Sequence, residues 1–332
     1  MGLHTPIEAH RTPQPFGVEI LDLRHFTSHH LRPLLERESQ VWAQLMSWDY
    51  RASADMILRY VDSKILPGYA AVERGRVGGY AFFVYEGSKG VIGDLFADEG
   101  IRLRDRDVET RLATHTIETL QRSPGVQRIE AQLLPHESGV LSAPFLDEGF
   151  QQFPRLFMVL PLAEDEAALP RITPLPGIEF RRWQEQDFQA VAGLITTSYH
   201  GHIDSEINDQ YRSLNGSLRF LNNIVRFPGC GIFDPSSSFV AVYPPTRAIA
   251  ALLLCSRVRD DVGHITQICV APELRGRMIG ESLIGLCTRE LCSRNFSALS
   301  LTVTEANANA VDLYLRLGFE IRRRFDAFVW ES

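Results

Sequence analysis

The sequence predicts an α/β (α+β) chain of two tandem domains, each a mixed, mostly antiparallel sheet flanked by helices. Three observations predict it. A proline-rich stretch divides the 332 residues near their middle, the two sides echo each other, and each side mixes β-type with helix-type runs.

The dividing stretch is Leu162–Gly177, LAEDEAALPRITPLPG, acidic and then broken by Pro170, Pro174 and Pro176. Proline lacks an amide hydrogen and fixes its own φ, so regular structure is blocked there and the stretch reads as a linker. The expected organisation is a first domain over 1–162, a linker over 163–177 and a second domain over 178–332. The first domain opens on Gly17-Val-Glu-Ile20 and the second on Gly177-Ile-Glu-Phe180. Phe145 stands four residues before Gly149-Phe150, and Tyr314 stands four before Gly318-Phe319. Each Gly-Phe precedes a short β-like ending, Phe157–Leu160 or Phe325–Trp330.

The elements of the second domain follow from period. Ile178–Arg182 alternates as a strand, and Asp187 is placed to cap a helix over Phe188–Tyr199. Phe239–Tyr243 and Ile249–Ser256 are strands joined by a Pro-Pro turn, and Ile265–Val270 is another. Arg277–Arg294 carries apolar residues at helical spacing, among them Ile279, Leu283, Ile284, Cys287 and Leu291. Leu299–Val303 is a strand, Ala308–Leu317 a helix stopped at Gly318, and Phe325–Trp330 the closing strand. Adjacent strands joined by short turns give a mostly antiparallel or mixed sheet.

Composition narrows the function. Hydrophobic residues make up 45% and charged residues 23% of the chain, ordinary for a globular protein. A net charge of −7 argues against a general nucleic-acid binder but leaves room for a local basic turn that holds a small anion. The five cysteines, Cys230, Cys255, Cys269, Cys287 and Cys292, form no CxxC pair and no metal-site spacing, and read as buried apolar residues in a reducing compartment. The N-terminal stretch has no apolar secretory core, and MGLHTP carries Pro6 where a myristoylation pattern needs Ser or Thr. No run approaches 18 apolar residues. The expected location is cytoplasmic.

The richest stretch is 264–283, HITQICVAPELRGRMIGESL, a strand, a glycine-punctuated basic turn and a helix. The first turn of a helix has unsatisfied N–H groups and partial positive charge, which suits a phosphate. Gly276 and Gly280 let backbone approach a ligand, and Arg275 and Arg277 add charge. The stretch has neither the Gly-Lys-Ser/Thr of a Walker loop nor GxGxxG. Standing alone, it also fits a solvated surface turn.

Its surroundings make it specific. Val270-Ala-Pro-Glu, then Leu274-Arg275-Gly276-Arg277-x-Ile279-Gly280, and about 30 residues later Asn307-Ala-Asn-Ala310-Val-Asp-Leu313-Tyr314-x-x-x-Gly318-Phe319, resemble the two signatures of the GNAT acyl-CoA N-acyltransferase superfamily. The clear resemblance covers about residues 240–330. The first half resembles a degenerate copy, so the whole looks like a tandem GNAT protein. The resemblance implies an N-acetyltransferase that moves an acetyl group from acetyl-CoA to a primary amine of a small molecule, by direct transfer in a ternary complex. The cysteine spacing, the net charge and the lack of a long apolar run lead to an expectation of no metal, no nucleic acid and no membrane partner, and two pseudo-equivalent halves in one chain favour a monomer over a homodimer. A non-catalytic acyl-CoA-binding module or a scaffold is the alternative.

The same resemblance implies the site. Ile268, Cys269, Val270, Arg275, Gly276, Arg277, Met278, Ile279, Gly280, Glu281, Asn307, Ala310 and Tyr314 would bind the CoA moiety, with backbone of Cys269 and Val270 meeting the pantetheine amides. Tyr314 would protonate the leaving thiolate. His264 and Glu305 are the candidate bases. The family has glycine at position 278, where a methionine still supplies its N–H. In the first half the turn Arg104-Asp-Arg-Asp-Val-Glu109 puts acids where a pyrophosphate would lie, so that copy is expected not to bind CoA. The loop Tyr199-His200-Gly201-His202 either lines the acceptor pocket or decorates the surface.

Overall fold

The computed structural model describes residues 17–162, 169–226, 229, 231–244 and 246–332. The N-terminal stretch, Cys230, Pro245 and residues 163–168 of the expected linker lie outside them. The first half runs β1 (Glu19–Asp22), α1 (Ser28–Met46), α2 (Arg51–Asp62), β2 (Gly68–Glu73), β3 (Arg76–Glu86), β4 (Lys89–Ala97), α3 (Glu99–Arg102), α4 (Val108–Arg122), β5 (Arg128–Gln132), α5 (Ser142–Asp147) and β6 (Gln151–Pro161). The second runs β7 (Glu179–Arg182), α6 (Phe188–Ser198), α7 (Ile203–Ile207), α8 (Leu214–Arg226), β8 (Ile232–Phe233), β9 (Phe239–Tyr243), β10 (Ala248–Arg259), β11 (Val262–Val270), α9 (Ile279–Ser293), β12 (Ala298–Thr304), α10 (Ala308–Arg316) and β13 (Glu320–Glu331).

One sheet carries both halves, in the order β1-β2-β3-β4-β5-β13-β6-β12-β11-β10-β9-β7, with β8 paired off this path to β10. The order reads alike from either end. Each half contributes one parallel pair, β4 with β5 and β11 with β12, and the other pairings are antiparallel. The closing strands are exchanged. β6 of the first half lies against β12 of the second, β13 lies against β5 of the first, and β6 and β13 pair with each other at the centre. The expected cut at 162–178 therefore separates helices but neither the sheet nor the cores that adjoin its centre.

Helices cover both faces, which is why long strands such as β10 are apolar on both sides. In the first half α1 and α2 cover one face and α4 the other. In the second half α6 and α8 cover one face and α9 and α10 the other. The junction is packed by Phe157 of β6 and Phe325 of β13, both fully buried among Trp48, Val258 and Val262. Truncating either phenylalanine to alanine costs about 3–5 kcal/mol.

Asp187 precedes α6 as expected but does not cap it. Its carboxylate accepts from the Gln184 amide at 2.9 Å and is gripped by both Arg181 terminal nitrogens at 2.7 Å. Among the described residues no helix is long and apolar enough to cross a membrane.

Candidate active site

The site begins where two parallel strands part. β11 and β12 pair only from Val262 opposite Ala298 to Ile265 opposite Leu301. Beyond that point β12 follows β6 as far as Thr304, while β11 follows β10 as far as Val270. The last part of β11 is thus a free edge facing a gap.

Alternation decides which groups face it. The Ala271 amide donates to Ala250 O at 2.8 Å, so by the two-residue period Cys269 is committed to β10, opposite Leu252. The expectation that Cys269 presents its backbone to a ligand is corrected: Ile268 and Val270 face the gap. Their carbonyls accept from cleft side chains, Ile268 from the Tyr199 hydroxyl at 3.2 Å and Val270 from Arg275 Nε at 3.3 Å. The Cys269 thiol is buried and its pKa is pushed up to about 12 by desolvation, which removes it as a nucleophile.

A cleft of about 850 Å³ opens from this gap to the start of α9. Gly276 turns the chain at φ +76°, and Met278 follows in the left-handed region at φ +60°. Met278 occupies the cap position of α9 with half-exposed side chain and makes no side-chain cap bond, so the first amides of the helix keep no side-chain acceptor there. A Cβ on Gly280 would meet only Val270 Cγ2, at 3.8 Å, so among the described residues none fills the space beside it. Free strand-edge amides, uncapped helix amides and that open space fit an extended amide chain ending in a pyrophosphate. Arg275 does not point freely outward: Nη2 donates to Ser198 O at 2.6 Å. It locks the turn to α6, and Arg277 remains the exposed cation of the turn.

The same place in the first half is closed. His136 Nε2 donates to the carbonyl of Leu95, the β4 counterpart of Ile268, at 2.7 Å. Asp105 accepts from the Asp107 amide at 3.1 Å and holds Arg111 at 2.6 Å, so the start of α4 is served by the chain's own carboxylate.

The predicted catalytic residues are treated unequally. Tyr314 lines the cleft, is nearly buried, and has its pKa raised, first by desolvation and then by the charge of Asp204. A phenol held protonated in this way can donate. Asn307 caps α10, its Oδ1 accepting from the Ala310 amide at 3.4 Å while its amide nitrogen lies 3.3 Å from His202 Nε2. Asn307 and Ala310 both line the cleft.

His264 also lines the cleft, but as part of its floor. It lies inside β11 rather than at its start, between the rings of Trp48 and Phe157, with Nδ1 2.9 Å from Ser300 Oγ. Burial, helped by the Arg155 charge, lowers its pKa to about 3. A nitrogen that holds a proton so poorly is a feeble base near neutrality. Glu305 is not among the cleft-lining residues and is paired with Arg324, Nε to Oε1 at 3.2 Å. Its candidacy as base is corrected on that geometry.

Residues the sequence did not single out complete the wall. Asp204 of α7 lines the cleft and accepts from the Thr304 hydroxyl, with His202 Nδ1 3.5 Å from its other oxygen. Arg155 and Gln132 come from β6 and β5, so the first half lines the cleft as well. The stretch that carries Ile207, Asn208 and Tyr211 roofs it. That stretch is fastened to the first half by Lys89, which reaches Asp209 at 2.5 Å and Glu130 at 3.0 Å, and by Gln210, which reaches Glu86 at 3.1 Å.

Residues 203–319 match the model of the Acetyltransferase (GNAT) family. Among solved structures, a GCN5-related N-acetyltransferase from Sphaerobacter thermophilus is 18% identical at a TM-score of 0.62, over 88% of this chain and 91% of that one. A tandem GNAT protein from the clavulanic acid biosynthesis pathway is 16% identical at a TM-score of 0.58, over 95% of this chain and 98% of that one. A comparison with curated proteins gave no match. At such identities the structural likeness speaks for the fold.

Proposed function

We propose that this chain, a GNAT-superfamily protein that carries its fold twice in tandem, transfers an acetyl group from acetyl-CoA to a primary amine of a small molecule in a ternary complex. The observation that carries the reading is the parting of β11 from β12 beside the uncapped start of α9. It offers backbone donors and acceptors to an amide-bearing arm and amides to a pyrophosphate at its end.

In this reading acetyl-CoA supplies the thioester. The amine nitrogen bonds to the carbonyl carbon, the carbon–sulfur bond breaks, and the thiolate leaves. The edge groups of Ile268 and Val270 align the arm, and Met278, Ile279, Gly280 and Glu281 offer backbone to the phosphates. Tyr314 gives its proton to the thiolate. Asn307 fixes His202, and Asp204 faces the amine and accepts the proton it loses, directly or through water. Holding both substrates in one cleft removes the need for a covalent enzyme intermediate.

The test combines titration calorimetry with acetyl-CoA and thiol release across a panel of primary amines. Binding, with amine-dependent thiol release that falls tenfold or more in Tyr314→Phe at unchanged acetyl-CoA affinity, supports the reading. Binding without thiol release for any amine would leave a binding module. No binding would remove the donor assignment.

A further inference from the structure

Among the described residues Arg155 has no counter-charge. It lines the cleft, its Nη1 donates to Gln132 Oε1 at 2.5 Å, and its guanidinium lies 5.9 Å from the Phe325 ring centroid. Its Nε is buried with no hydrogen-bond partner, and among the described residues no carboxylate comes within ion-pair distance. The neighbouring junction arginines are matched: Arg128 with Glu130 at 2.6 Å, and Arg212 with Glu331 at 2.9 Å. A half-buried guanidinium with unmet donors is costly to maintain, and an anion from outside would offset that cost. Its positive charge is felt at the cleft floor, where it helps keep His264 neutral.

Asp204 supplies the opposite sign on the same face. It is held by Thr304, and Thr304 stands directly across from Arg155 in the β12–β6 pairing. Directly opposed residues of an antiparallel pair project to one face. Asp204 is also the charge felt by Tyr314, which puts it at the reacting end of the cleft. The Arg155 guanidinium lies over Phe325 of β13, and Asp204 is anchored over β12, with β6 between. Two strand spacings amount to about 10 Å. With a hydrogen bond of about 3 Å at each end, about 4 Å remains between the two charges of a ligand that bridges them.

We propose that the acceptor is zwitterionic, a primary amine facing Asp204 joined through several bonds to a carboxylate held by Arg155 and Gln132. This rests on the acetyl-transfer reading above and names its acceptor class: an amino acid that reacts at an amine remote from its carboxylate, rather than a simple alkylamine. The first half thereby supplies the group that selects the acceptor for a reaction centred in the second.

The test compares 3-aminopropanoate, whose three bonds from amine nitrogen to carboxylate carbon match that span, with propylamine, which lacks the carboxylate, as acceptors with acetyl-CoA. Acetyl-CoA affinity is measured in parallel by calorimetry. The expected result is a kcat/KM at least tenfold higher for 3-aminopropanoate, carried mainly by KM. Arg155→Gln removes that preference and Arg155→Lys keeps part of it, each at unchanged acetyl-CoA affinity. Equal turnover of the two amines, or a preference that survives Arg155→Gln, overturns the inference and leaves acetyl transfer standing. Acetyl-CoA binding with turnover of neither amine also overturns it. Failure to bind acetyl-CoA would bring down the transfer reading together with it.

Discussion

His136 donates to the carbonyl of Leu95 at 2.7 Å, at the position where the Ile268 carbonyl of the second half accepts from the Tyr199 hydroxyl at 3.2 Å. Both carbonyls take a side-chain donor, but a cleft of about 850 Å³ opens beside Ile268 and Tyr199, against a space of about 10 Å³ beside His136. The expected outcome is a single acetyl-CoA site per chain by calorimetry. Gly280→Glu places a carboxylate in the space beside Val270 and abolishes that site. A second site, or binding that survives Gly280→Glu, would contradict the assignment.

Met278 holds a left-handed conformation that costs a side-chain-bearing residue roughly 1–2 kcal/mol. Met278→Gly relieves this but adds unfolded-state freedom worth roughly 0.5–1 kcal/mol. Relief wins narrowly, so chemical denaturation should show a gain of up to about 1 kcal/mol. Acetyl-CoA affinity should hold or improve, because the backbone amides stay in place.

Lys89 ties the roof over the cleft to the first half through Asp209 and Glu130. Lys89→Met leaves Glu130 with Arg128 and the Asp209 amide, and costs about 1–3 kcal/mol of stability. The acceptor KM should rise severalfold while the acetyl-CoA dissociation constant stays put. An unchanged acceptor KM would mean that the roof stands on its own contacts.

His264 has a folded-state pKa of about 3 against about 6.5 when unfolded. The unfolded chain therefore binds the extra proton first as pH falls. The contribution of a neutral His264 is whole above pH 6.5 and is lost progressively as pH drops from there toward 3. His264→Asn should flatten the fall of melting temperature across pH 6.5–4. A His264→Asn profile that keeps the wild-type slope in that window would assign the acid sensitivity elsewhere.

Local pattern gave the second half in fine detail. Phe239–Tyr243 is a strand as its alternation predicts, and the helix expected over 277–294 spans Ile279–Ser293. The turn and both motifs line one cleft for the same reason, since each is a short-range arrangement of strand, turn and helix. The errors come from long-range contacts. Nothing in Gln151–Pro161 or Glu320–Glu331 says which neighbour each strand will take, because either register buries the same alternating side chains. His264 reads as a strand-start residue until Trp48, more than two hundred positions earlier, covers it. Asp204, Arg155 and Gln132 have no local pattern at all; only the assembled sheet brings them to one wall.

The exchanged closing strands also bear on how the molecule is made. β13 follows every other strand in the element order, yet it fills the slot between β5 and β6, both made long before it. During synthesis the first half emerges with that slot vacant and two unpaired strand edges exposed. The sheet is completed only after β13 leaves the ribosome, so the nascent first half is the vulnerable species, open to pairing with another nascent chain. Removal of β13 should therefore damage the first half as severely as the second, though the strand begins at Glu320 and β5 ends at Gln132.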